Sequence, residues 1–108
     1  MTETLPNRLR AYVMGLKRRD LPIAYAALAQ ALDVPGPGRI ARLGAALETL
    51  MAEDQAAERP FLAALVISRS GSGIPAPGYF DAATALRGTP DHDHAAEMAA
   101  ALRHYFTG

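Results

Sequence analysis

Apolar positions recur at helical spacing through most of the chain. Leu5, Leu9, Tyr12, Val13 and Leu16 share one face of a 3.6-residue period, which predicts an amphipathic helix over 5–18. Thr4 is placed to cap it, and Asp20-Leu21-Pro22 is where a helix must stop. Residues 22–25 read as a short extended piece and 26–32 as a short helix, closed by the breakers Asp33-Val34-Pro35-Gly36-Pro37-Gly38. The clearest stripe follows, with Ile40, Leu43, Leu47, Leu50 and Met51 marking one face of a helix over about 39–56.

Arg59-Pro60 interrupts this periodicity. The run over 61–69 fits a buried strand, although a short apolar run does not separate strand from helix by period alone. The turn residues Ser70-Gly71-Ser72-Gly73, followed by Ile74-Pro75, favour a strand that enters a hairpin. Pro77-Gly78 opens a helix through Leu86, ended by Gly88, and Thr89-Pro90-Asp91 caps a last helix with Ala95, Met98, Leu102 and Phe106 inward. Helix, short strand, helix, turn, helix, hairpin, helix, helix is the order of a winged helix–turn–helix. The expected fold is therefore mainly α (α+β), a single winged-helix-like domain over 1–108 with a small β-hairpin. Its six-residue turn at 33–38 is longer than that of standard repressors.

Composition narrows the chemistry. The 108 residues suffice for one core, half of them are apolar, and only 6% are aromatic, so Ala, Leu, Ile and Val must build it. Without cysteine there are no disulfides, thiolate zinc sites or cysteine nucleophiles. The N-terminus lacks an apolar signal core, and the longest apolar run, 61–67, is far short of the roughly 20 residues that span a bilayer. No membrane association and a cytoplasmic location are expected.

Net charge is zero, which disfavours a general polyanion binder, but the charges are unevenly placed. Residues 1–47 carry seven bases and three acids, a surplus of four positive charges; residues 48–108 carry four bases and eight acids, a surplus of four negative ones. Within the long helix, Arg39 and Arg42 stand at the start, while Glu48, Glu53 and Asp54 stand towards the end. The helix dipole prefers the opposite order, by roughly 0.3–1 kcal/mol per charge. Arginine beside the free N–H groups of a helix start suits phosphate or a base edge. Alternatively both arginines are solvated, or paired with Asp33 or Asp20. Tyr25, at a strand-to-helix junction, is either a core residue or a base-stacking one. Lys17-Arg18-Arg19 either complements the dipole of the first helix or contacts phosphate.

Tyr25-Ala26-Ala27-Leu28-Ala29, then Pro35, then Arg39, resembles the DNA-binding segment of the alkylguanine DNA alkyltransferases and the alkyltransferase-like proteins. The resemblance spans residues 23–79. It implies that Tyr25 lies at an extruded nucleotide and that Arg39 fills the gap left in the duplex. Gly44 lies close to the family's small-residue position but out of strict register. The chain departs from the family at 60–67, where the Pro-Cys-His-Arg motif is missing, so alkyl transfer is excluded.

Other candidate chemistry is thin. His94 and Glu97 have a workable ligand spacing, yet Asp91 and Asp93 already suit a helix start and no further donor group completes a metal site. Ser70-Gly71-Ser72-Gly73 lacks the Gly-Lys-Ser/Thr of a phosphate loop, and no serine has a clear base. The segment 74–80 either packs its rings inward or presents an apolar loop to a partner. The expectation is a non-enzymatic module, with no catalytic residues, metal or cofactor, that binds double-stranded DNA through Arg39, with Tyr25, Arg42, Lys17, Arg18 and Arg19 in support. The alternative is a protein–protein interaction or structural domain, a homodimer built on the last helix.

Overall fold

A computed structural model describes residues 4–68 and 73–106. The fold is mainly helical with a small β element. Helix α1 spans Leu5–Met14, where the Thr4 hydroxyl accepts from Asn7 N–H at 3.4 Å. It is shorter than its apolar period suggests. Gly15 ends it, and Arg18–Asp20 forms a separate 3-10 turn in which the Asp20 carboxylate accepts from Lys17 N–H at 3.1 Å. Strand β1, Ile23–Ala24, leads directly into α2, Tyr25–Ala31. Helix α3, Arg39–Ala56, starts and stops where its stripe predicts. Leu43, Leu47, Leu50 and Met51 are buried as expected, but Ile40 is 46% exposed.

The run from Phe61 corrects the expectation of a long strand. Leu62–Leu65 is a 3-10 turn, and only Val66–Ile67 extends as β2. This segment sits at the centre of the molecule, with Phe61, Leu62, Ala64, Leu65 and Val66 all at 0% exposure. Ahead of the short β2, distant side chains take up backbone groups that a sheet ladder would otherwise have to satisfy. Leu62 N–H donates to Asp54 at 3.0 Å, Phe61 N–H donates to Glu97 at 2.7 Å, and Ala64 C=O accepts from His94 Nε2 at 2.9 Å.

The β element is also not the expected hairpin. β2 pairs in parallel with β1, Ile23 opposite Val66 and Ala24 opposite Ile67. Ser68 N–H donates to Ile74 C=O at 2.8 Å, while the Ser70-Gly71-Ser72 turn proposed for the wing lies outside the described residues.

Helix α4, Pro77–Arg87, ends on Gly88, whose φ of +71° is the left-handed conformation glycine adopts without steric penalty. Helix α5, His94–Tyr105, is capped by Asp93, two residues later than the sequence suggested; its carboxylate accepts from Ala96 N–H at 3.1 Å. His94 and Ala101 are its buried residues; Met98, Leu102 and Phe106 pack part-buried on the core, and Ala95 is exposed. The apolar face invoked for a last-helix dimer is therefore largely occupied within the chain. Among the described residues, no helix is long and apolar enough to cross a membrane.

Candidate nucleic-acid interface

The start of α3 is chemically bare. Gly38, at φ +82°, occupies the cap position without a side chain to accept from the first N–H groups, and the first turn contains no acid. Four exposed residues follow in sequence: Arg39, Ile40, Ala41 and Arg42. The Arg39 guanidinium folds back over Gly36, where a Cβ would meet its Nη2 at 3.4 Å. Arg42 Nη1 donates to Pro35 C=O at 3.2 Å, which ties the loop to the helix. Neither arginine pairs with a carboxylate among the described residues, so Asp33 and Asp20 do not neutralise them.

The acidic end of the same helix has a structural use. Asp54 is completely buried; its Oδ1 accepts from Arg10 Nη2 at 2.8 Å and Arg59 Nε at 2.7 Å, and its Oδ2 from Leu62 N–H. Glu53 adds a 3.3 Å contact to Arg10. Packing thus accounts for Glu53 and Asp54 in the reversed charge order, but not for Glu48, nor for the charge of the two arginines at the other end.

Tyr25 is part-buried and its hydroxyl accepts from Ala76 N–H at 3.0 Å. Burial raises its pKa, the Ala76 N–H opposes this, and Glu48 adds to the rise. The ring lines a cleft of about 70 Å³ between α3 and the start of α4, shared with Ile40, Gly44, Glu48, Met51 and Tyr79. Lys17, Arg18 and Arg19 lie elsewhere. Arg18 donates to Phe106 C=O at 3.5 Å; the neighbouring Tyr105 hydroxyl donates to Pro60 C=O at 2.8 Å, beyond the C-terminal end of α3. The two basic groups are anchored towards opposite ends of that helix.

Sequence reasoning missed a ring cluster that begins at Tyr79, in the wall of the same cleft. Tyr79 is 5% exposed, and its hydroxyl lies 2.7 Å from His92 Nε2. Phe61, Phe80 and His94 pack their rings around this pair, and the Arg87 guanidinium sits 4.1 Å above Phe61. Burial raises the Tyr79 pKa and lowers that of His92. With Asp93 capping α5 and His94 bonded to a carbonyl, the Asp-His-Asp-His run is used structurally. No group of three or more His, Cys, Asp or Glu among the described residues could hold a metal ion.

No family model matches the chain, nor does any curated protein or solved structure.

Proposed function

We propose that this protein is a non-catalytic DNA-binding module that presents the first two turns of α3 to duplex DNA. Arg39 and Arg42 would take phosphate or base edges, and α2 with α3 would act as the helix–turn–helix pair. One observation carries the reading: two exposed arginines, without a carboxylate partner among the described residues, stand at a helix start with no side-chain cap. Exposed Ile40, Ala41 and Ala45, with Gly44, keep the adjoining face low enough for close approach to a groove. The resemblance of 25–39 to the alkyltransferase-like segment supports Arg39, and a cytoplasmic location belongs to the same proposal.

Anisotropy of a labelled duplex of about 20 base pairs tests it, since each neutralised phosphate contributes about −0.9 to the slope of log affinity on log salt. The expected slope is about −2, falling by about one with Arg39→Ala. Arg39→Glu should abolish binding while raising stability by roughly 0.3–1 kcal/mol, because it puts an acid where the dipole favours one. Undetectable binding at low salt, or an Arg39→Ala protein that binds like the parent, would refute the proposal.

A further inference from the structure

Three large apolar side chains stand out as exposed among the described residues: Met14 at 45%, Ile40 at 46% and Ile74 at 42%. Two of them belong to one surface. Ile40 lines the cleft beside Tyr25 and Gly44, and Ile74 lines a neighbouring depression of about 380 Å³ with Pro75, Pro77 and Phe80. Ala76 lines both, so the two hollows meet. Inside the first, Gly44 sits in the middle of α3, where a Cβ would meet nothing within 4 Å. Glycine in a helix interior is unfavourable relative to alanine and is expected where something approaches the backbone closely. No residue described here does so.

The rim of this surface is acidic. Glu48 borders the first hollow and Asp81 the second; both are exposed, and neither forms an ion pair among the described residues. The third exposed apolar group, Met14, lies at the end of α1 just before Lys17, Arg18 and Arg19. Lys17 and Arg19 are exposed and likewise make no ion pair among the described residues. The chain thus carries an apolar hollow with two unneutralised acids and, elsewhere on its surface, an apolar side chain with two unneutralised bases.

We infer that the protein self-associates head to tail, the Met14 and Lys17–Arg19 segment of one copy seating on the acid-rimmed apolar surface between α3 and α4 of the next. Because the two patches differ, the contact is heterologous and propagates into chains or closes into a ring; it does not stop at a two-fold dimer. Patches this small belong to the weak class of interfaces, so association is expected in the range of about 0.1–1 mM. The inference does not rest on Arg39 or Arg42, but its surface shares Ile40 and Gly44 with the face proposed to meet DNA, so it is tested without nucleic acid and with both arginines intact.

Sedimentation equilibrium without nucleic acid tests it, using the parent and two folded charge-reversal variants, E48K/D81K and K17E/R19E. The parent's weight-average mass should rise above 11.5 kDa with concentration. It should fall back at about 1 M salt, where charges are screened within about 3 Å. Each variant alone should remain monomeric, because its two patches now carry like charge. An equimolar mixture of the two should associate again, since the basic hollow of one meets the acidic segment of the other. A parent that stays monomeric throughout overturns the inference, as does association that either variant retains or that mixing fails to restore.

Discussion

His92 is half-buried and stands against the rings of Phe61, Tyr79 and Phe80 at the edge of the core. Its Nε2 lies 2.7 Å from the Tyr79 hydroxyl, within hydrogen-bond reach. Burial lowers its pKa below 6.5 as the largest effect; Arg87 and His94 lower it further, and Glu97 and Asp93 oppose them. A folded-state pKa below the unfolded one means that the unfolded chain binds the extra proton. The resulting stability is fully present above about pH 6.5 and is lost as the pH falls through the folded value. Thermal melts from neutral to about pH 5 should show this loss in the parent. His92→Gln keeps a group that can hydrogen-bond to Tyr79 but does not titrate, so its melting temperature should fall less over the same interval. Parallel curves would mean that other groups carry the acid sensitivity. None of this was readable from Asp91-His92-Asp93-His94, because the partners of the two histidines, Tyr79 and Ala64 C=O, lie 13 and 30 residues away.

At the scale of elements, what was legible followed from local physics. Helix α3 was readable because its apolar stripe and its flanking Gly38 are both local signals. Helix α4 was readable from Pro77 and Gly88 for the same reason. The segment after Pro60 was not readable, because its conformation is decided by Asp54, Glu97 and His94, whose side chains replace a ladder that a strand would have needed. The candidate site divided in the same way: the uncapped cationic start of α3 was visible in the sequence, whereas the separation of Lys17–Arg19 from it depends on where α5 ends. The exposure of Ile40 on an otherwise buried stripe was equally hidden, since it depends on what α4 leaves uncovered. Gly44 supplies the test at this scale. With open space at its Cβ position, Gly44→Ala should gain the full helix-propensity difference, about 1 kcal/mol, in chemical denaturation. A destabilised variant would show that the position is closed in solution.

Over the whole molecule, the charge arrangement that first suggested a binding surface separates into structural and unassigned parts. The buried carboxylate of Asp54 joins three segments that are distant in sequence: Arg10 of α1, Arg59 beyond the end of α3, and the backbone of the central 3-10 turn. An acid at the end of α3 opposes the helix dipole, a term worth under about 1 kcal/mol. Two charge-assisted hydrogen bonds and a buried backbone partner outweigh it, at roughly 1.5–3 kcal/mol for each bond to a charged group. Removing the charge reverses that balance. Asp54→Asn would leave Arg10, whose side chain is 17% exposed, without its closest counter-charge, and one amide cannot accept at both carboxylate positions. Breaking one side of a buried ion pair typically removes about 3–5 kcal/mol, against a total of about 5–15 kcal/mol for a domain of ordinary stability. The Asp54→Asn protein should therefore unfold at much lower urea concentration than the parent, and Arg59→Ala, which removes the more exposed partner, should have a smaller effect. A variant that unfolds within about 1 kcal/mol of the parent would show that the central turn is held by its apolar burial alone, with Asp54 dispensable as the link between α1 and the core.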